Sequence, residues 1–351
     1  MTSKNTSKKP VAVIGAGSFG MAIANILAQN SEVLLYARDP EVIKKIATNK
    51  EHRGQKVHTN ITATGDLSYI ANTCDILFPI VPSSAFREMM QQLSPYLHPY
   101  HILIHGTKGL DIELGEGETL DNIKILNREN VKTMSEVIMD ESVVIRVGCL
   151  AGPNLAKELA AGQPAATVVA SHYNEVIEAG QQLLRNDLFQ VYGNQDLIGI
   201  ELAGVLKNII AIASGILSGL NLGENAKGLL ISRGMIEMIY LGKAMGGDVE
   251  AFVGLAGIGD LVATCNSTLS RNFTVGNRLA KGESLTEIIA NMDEVAEGVN
   301  TIKIAKKIID YHKVRAPITE ALYEVLFEGL PVEKAIQLLM KYPYNVDIDF
   351  L

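Results

Sequence analysis

Four short stretches of this chain carry residue types whose spacing could do chemistry. Lys207 lies in Glu201-Leu202-Ala203-Gly204-Val205-Leu206-Lys207-Asn208-Ile209-Ile210-Ala211, a helical segment apolar on nearly every side. Burial disfavours an ammonium and lowers its pKa toward the range a general acid or base needs. Gly204, Asn208 and Ala211 share its face, which leaves room for a small ligand. Glycine inside a helix costs about 1 kcal/mol relative to alanine, so Gly204 points to a close approach there. Pattern alone also permits a snorkelling lysine, or one paired with Glu201.

The second stretch, Gly257-Ile258-Gly259-Asp260-Leu261, reads as a tight turn with Asp260 capping the next helix. The third, Ser270-Arg271-Asn272, sets a hydroxyl, a guanidinium and an amide side by side, donors suited to a phosphate. The fourth is Gly15-Ala16-Gly17-Ser18-Phe19-Gly20, a G-x-G-x-x-G fingerprint directly after a strand and opening a helix. Its first glycine permits a tight turn, its second lets backbone approach a pyrophosphate, and its third lets helix and strand meet closely. The helix start then offers N–H groups and a positive dipole end to the phosphates. About where a ribose-reading residue belongs, Asp39 suits a free 2′-hydroxyl and Arg38 a 2′-phosphate, so both NAD and NADP stay open.

These residues need elements to hold them. Val11–Gly15, Val33–Arg38, Ile76–Val81, His101–His105, Val143–Leu150, Thr167–Ala170 and Phe189–Tyr192 read as short buried strands. Helices are expected from Ser18 to Gln29, from Pro40, and over Ser84–Leu93. The strand ending at His105 delivers Lys108 to the carboxyl end of the sheet, where doubly wound folds bind ligands. His98, His101 and His105 do not suggest a metal: on a strand they stand too far apart, and no carboxylate partner is evident.

After Gln195 helical patterns dominate: Leu197–Leu220, Ala226–Met245, Leu285–Asn291, Thr301–Tyr311, Ile318–Phe327 and Val332–Met340. Residues 112–133 are polar and fit no element, which suggests a surface excursion. The architecture is therefore α/β: an N-terminal Rossmann-like dinucleotide-binding domain over 1–195 and a C-terminal all-helical substrate domain over 196–351.

Composition agrees with an ordinary globular protein, 47% hydrophobic and 20% charged. A net charge of -8 argues against a dedicated nucleic-acid binder. Cys74, Cys149 and Cys265 form no C-x-x-C pair, which fits a reducing, cytoplasmic compartment. Lys4, Lys8 and Lys9 before an apolar run imitate a signal peptide, but the glycines of the fingerprint break that run. Leu197–Leu220 carries Glu201, Lys207 and Asn208, so it reads as a buried core helix and not a membrane span.

Taken together, GAGSFGMAIA (15–24), VPSSAFRE (81–88), HGTKGL (105–110), AGPNLAKE (151–158), ELAGVLKNIIAIASGI (201–216), LAGIGDLVATC (255–265), LSRNFTVG (269–276) and EVAEGVNT (294–301) carry a resemblance. In this order the chain resembles the bacterial-type NAD(P)-dependent glycerol-3-phosphate dehydrogenases. The resemblance implies interconversion of glycerone phosphate and sn-glycerol 3-phosphate with NAD or NADP, supplying phospholipid synthesis, by a homodimer. It implies Lys207 as proton acceptor. Lys108, Gly152, Asn154, Asp260, Ser270, Arg271 and Asn272 would line the substrate site. Gly15, Gly17, Ser18, Phe19, Gly20, Arg38, Lys108, Ala156, Arg271, Val295 and Glu297 would contact the cofactor.

The chain departs from the family at Asn154, usually Ser, and at Ser84, commonly His. Arg53-Gly54-Gln55-Lys56 replaces a Tyr-Leu-Pro-Gly type segment, and 112–133 is longer than the usual connection. Two other readings share the fingerprint: a different two-domain hydroxy-acid or sugar-phosphate dehydrogenase, and a non-catalytic dinucleotide sensor.

Overall fold

Alternate residues of the first strand go to different apolar clusters: Val11 and Val13 to one, Ala12 and Ile14 to the other. A strand with period two therefore has both faces covered, as a doubly wound sheet requires. The computed structural model describes residues 9–343 and 347, apart from 116, 124 and 125. Of the lysines before the fingerprint, Lys4 and Lys8 lie outside the described residues.

Along the chain, β1 (Val11–Ile14) leads to α1 (Ser18–Leu27), and β2 (Val33–Tyr36) to α2 (Pro40–Asn49). A small antiparallel pair, β3 (Glu51–His52) and β4 (Gln55–Lys56), precedes β5 (Ile61–Thr64) and α3 (Leu67–Thr73). β6 (Ile76–Pro79), α4 (Phe86–Leu93) and β7 (Ile102–His105) follow. A second antiparallel pair is β8 (Asp111–Ile112) and β9 (Val131–Lys132). Then come α5 (Met134–Glu141), β10 (Arg146–Ala151), α6 (Ala156–Ala160), β11 (Ala165–Ala170), α7 (Asn174–Leu184) and β12 (Phe189–Asn194).

Among the described residues the main sheet runs β12-β11-β10-β7-β6-β1-β2-β5. The pairs β1–β2, β1–β6, β2–β5, β6–β7, β7–β10 and β11–β12 are parallel, with Val11 opposite Val33 and Ala12 opposite Leu77. Strand order reverses around β1, the position where open sheets bind ligands beyond their carboxyl ends. The sequence reading lacked β5, α3, α5, α6 and α7, and its helix from Ser84 opens as a 3₁₀ turn over Ser83–Ala85 before α4.

The rest of the chain is helical: α8 (Leu197–Gly219), α9 (Glu224–Ala244), α10 (Val249–Val253), α11 (Asp260–Cys265), α12 (Arg271–Leu279), α13 (Leu285–Ala290), α14 (Glu297–His312), α15 (Pro317–Phe327) and α16 (Val332–Met340). α8 is long and apolar enough to cross a membrane, yet 94% of its most apolar window is buried inside the protein. Asp196 caps it by accepting from Gly199 N. α12 escaped the sequence reading, although it meets α8 at backbone contact. A Cβ on Gly215 would fall 2.0 Å from the Phe273 carbonyl oxygen, and one on Gly276 would fall 1.9 Å from that of Ile212.

Two compact units result: residues 1–107, 134–150 and 154–195, and residues 108–133, 151–153 and 196–351. The second therefore draws in two segments that precede residue 196. Residues 112–133 are not the surface excursion expected. They form β8 and β9 and bury Ile123, Leu126 and Val131. Arg128 donates to Met245 O, Lys307 donates to Ile123 O, and Lys303 pairs with Asp121. Polar composition hid those anchors.

Candidate active site

In the first unit, Gly15 adopts φ 123°, and a Cβ there would lie 2.2 Å from the Ile80 carbonyl oxygen. A Cβ on Gly20 would fall 2.0 Å from Gly15 O, whereas one on Gly17 would meet nothing within 4 Å. Two glycines are thus needed for the fold, and the middle one leaves space over the helix start. Gly17 caps α1 without a side-chain bond, and the first turn has no acidic residue. Its N–H groups suit an external anion, so these residues fit a dinucleotide pyrophosphate. Ser18 opens α1, and the Phe19 ring lies close over Gly106.

Arg38 is exposed beyond β2. Asp39 accepts from Glu41 N at 2.9 Å as the cap of α2, a local duty the sequence reading did not assign. Ala156 begins α6. Asn154 also belongs to the first unit; its amide donates to Ala166 O at 2.9 Å, and its Oδ1 is buried without a hydrogen-bond partner among the described residues.

The second unit holds a buried charge cluster. Lys207, 5% exposed, donates to Asp260 Oδ1 at 2.7 Å. Lys108 donates to Asp260 Oδ2 at 2.6 Å and to Gly152 O at 3.1 Å. Lys207 also donates to Thr264 Oγ1, and that hydroxyl donates to Asp260 Oδ1 at 3.1 Å. Lys207 is therefore paired with Asp260 and not with Glu201. Burial pushes the Lys207 pKa down to about 8; Asp260 opposes that fall and Lys108 adds to it. Burial pushes Asp260 the other way, but Lys108 and Lys207 outweigh it and hold the carboxyl below its usual range.

Asp260 does not cap a helix after a tight turn. The chain passes through a π-helical turn, Leu255–Gly259, straight into α11, whose cap is Gly259. A Cβ on Gly257 would fall 1.9 Å from Phe252 O, so glycine permits the wide turn. Asp260 is thus the first α11 residue, with both oxygens on lysines. Thr264, one helical turn on, was missed; its i+4 spacing from Asp260 was the available signal. Gly204 needs no close approach either: a Cβ there would lie 3.5 Å from Ala151 and 3.9 Å from Lys108, ordinary contacts.

Ser270, Arg271 and Asn272 do not act as one donor set. Ser270 caps α12, its hydroxyl accepting from Phe273 N. Asn272 is buried, donating to Asn208 Oδ1 and accepting from Gly298 N, both at 2.9 Å. Its amide joins α8, α12 and α14. Arg271 alone of the three is widely exposed, its side chain at 48%, with Glu294 at 3.4 Å. Val295 is exposed and Glu297 opens α14.

The histidines serve local structure. His101 Nε2 donates to Ala71 O, and His105 Nε2 bonds Ser135 Oγ. Among the described residues no group of three His, Cys, Asp or Glu is placed to hold a metal ion.

A mostly parallel sheet with this glycine turn, and in the same chain a helical unit with a buried lysine of lowered pKa, define a two-part dinucleotide-dependent dehydrogenase. Comparison with known proteins narrows the class. Family models described as the N-terminus and C-terminus of NAD-dependent glycerol-3-phosphate dehydrogenase match residues 10–177 and 196–337. The chain belongs to that family. The glycerol-3-phosphate dehydrogenase [NAD(P)+] of Pseudomonas aeruginosa is 38% identical over 99% of this chain and 98% of its own length. That of Ectopseudomonas mendocina is 39% identical over the same shares. The crystal structure of the Coxiella burnetii glycerol-3-phosphate dehydrogenase superposes with TM-score 0.84 at 32% identity, covering 95% of this chain and 99% of that one.

Proposed function

We propose that this chain interconverts glycerone phosphate and sn-glycerol 3-phosphate, the first unit binding NAD or NADP and the second holding the acid/base and phosphate groups. The observation that carries the reading is Lys207, buried, bonded to Asp260 and brought to about 8. A lysine so tuned exchanges protons near neutral pH. When bound, the nicotinamide supplies the hydride chemistry at the substrate's C2.

Neutral Lys207 takes the C2 hydroxyl proton in oxidation, and its ammonium form returns it in reduction. Asp260, kept ionised by Lys108 and Lys207, fixes the lysine nitrogen by hydrogen bonding. Lys108 adds a second positive charge beside the substrate oxygen, and Arg271 grips the phosphate. Gly152, Asn154, Ser270 and Asn272 shape the substrate side. Ala156, Val295 and Glu297 complete the cofactor side. Arg38 and Asp39 side by side suit both cofactor forms, the exposed arginine favouring a 2′-phosphate and the aspartate a free 2′-hydroxyl. A silent dinucleotide sensor would have no use for a desolvated lysine between a carboxylate and a hydroxyl.

The same reading includes a homodimer, which sedimentation velocity tests, and a reducing cytoplasmic location, which the buried free cysteines Cys74, Cys149 and Cys265 fit. The activity is tested by following glycerone phosphate turnover at about 340 nm, the reduced nicotinamide band, with NADH and with NADPH. Lys207→Ala should lose about 10²–10⁴ in kcat while binding NADH as before. Near wild-type kcat in that variant would remove Lys207 from the chemistry.

A further inference from the structure

The β3–β4 hairpin packs two side chains against the glycine turn. Arg53 and Gly54 take φ 54° and 71°, the left-handed pair of a tight two-residue turn. Its register sets His52 directly opposite Gln55, so both side chains leave the same face. Both are buried, while Glu51, Arg53 and Lys56 are exposed. His52 Nε2 lies 2.9 Å from Ala16 O, and Gln55 Nε2 donates to Ser18 O at 2.9 Å. A carbonyl can only accept, so His52 donates from Nε2 as well.

Ala16 and Ser18 belong to the glycine turn. In a planar trans peptide the N–H points opposite to the C=O. Drawing Ala16 O and Ser18 O toward the hairpin therefore aims the N–H groups of Gly17 and Phe19 away from it. Those are groups of the helix start, where no intrahelical acceptor exists. α1 in turn holds the hairpin arm: Asn25 donates to Lys56 O and accepts from His58 N, each at 2.9 Å.

A second observation separates this pair from ordinary fold contacts. His52 Nδ1 and Gln55 Oε1 are buried with no hydrogen-bond partner among the described residues. Each side chain thus satisfies the turn and leaves its own acceptor unmet. Burial, with the Arg53 and Lys45 charges adding to it, lowers the His52 pKa despite the Ala16 bond, which agrees with a neutral ring carrying its proton on Nε2.

We propose that His52 and Gln55 are positioning residues for the dinucleotide: held on one face of the hairpin, they aim the N–H groups of the glycine turn at its phosphates. The proposal rests on the reading of that turn as the dinucleotide site.

The test is NADH affinity of the full-length protein without substrate, read from NADH fluorescence; the chain has no Trp to interfere. His52→Leu and Gln55→Met each remove one donor and should raise Kd about three- to tenfold, the range of one hydrogen bond. At saturating NADH, kcat and the KM for glycerone phosphate should stay within about twofold. His52→Gln keeps an N–H donor and should recover most of the affinity. Exposed Glu51→Ala on the same hairpin should change nothing. Unaltered Kd in folded His52→Leu and Gln55→Met would overturn the proposal. So would parallel losses of kcat and melting temperature with no selective loss of affinity, or failure of both variants to fold. Wild-type protein that bound no NADH would instead strike the dinucleotide reading itself.

Discussion

At the scale of single residues, Lys207 links structure to pH. A lysine brought to about 8 is neutral above that pH and charged below it. Only the neutral form accepts a proton, so kcat/KM for glycerol 3-phosphate oxidation should rise with pH and level off above about 8. Reduction needs the ammonium and should fall over the same range. Profiles that rise or fall together in the two directions would take Lys207 out of the proton step. Arg271 is tested by shape rather than charge. A guanidinium can hold a phosphate through two parallel bonds that lysine cannot reproduce. Arg271→Lys should therefore weaken kcat/KM for glycerone phosphate by about 1.5–3 kcal/mol. The residual rate with unphosphorylated dihydroxyacetone should barely change. Equal harm to both substrates would make Arg271 structural, its pairing with Glu294 included.

At the scale of elements, the site depends on how closely two helices approach. α8 carries Lys207, and Arg271 opens α12. Gly215 and Gly276 let each helix meet the other's backbone, at Phe273 and Ile212. Gly276→Ala must move one helix, because the obstructing atom is a carbonyl oxygen and not a flexible side chain. Overfilling of this kind costs about 1–3 kcal/mol. It should also raise the KM for glycerone phosphate, since Arg271 shifts relative to Lys207. A melting temperature equal to wild type would refute the close-contact argument. Elsewhere in this unit a helix end is closed from outside its own sequence. Glu237 on α9 accepts from Ile318 N, Thr319 N and Thr319 Oγ1, where α15 has no side-chain cap of its own. Burial, against those donors, pushes its carboxyl up to about 8. No local pattern around α15 could have announced a cap contributed 81 residues away.

At the scale of the whole molecule, the second unit begins well before residue 196. It takes in Lys108, Gly152 and the 108–133 segment with Ile123, Leu126 and Val131 buried. Residues 196–351 expressed alone should therefore melt lower and less cooperatively than the intact chain, as followed by circular dichroism. A fragment melting like the whole protein would show that 108–133 adds nothing. Much of this organisation could be read in advance. Local signals sufficed where neighbours in sequence are neighbours in space: the strand-glycine-helix start at Gly15–Gly20, the apolar runs of the sheet, and the long helix around Lys207. Period-two and helical patterns report burial directly, so the class of fold and the candidate lysine followed from them. Partners distant along the chain could not be read that way. Pattern alone left Lys207 open among an acid/base, a snorkelling side chain and a pair with Glu201; the π-helical turn brought it Asp260, and set Thr264 beside both. It grouped Ser270, Arg271 and Asn272 as one donor set, whereas helix α12 turned one into a cap, one into a strut between helices, and left Arg271 exposed. It noted Arg53-Gly54-Gln55-Lys56 as unusual, but it missed His52 and the hold that His52 and Gln55 have on the glycine turn. The amino-acid order determines which groups can bond. Which of them do is decided by the backbone path that carries each buried polar atom to a complementary one, and only the tertiary structure contains that path.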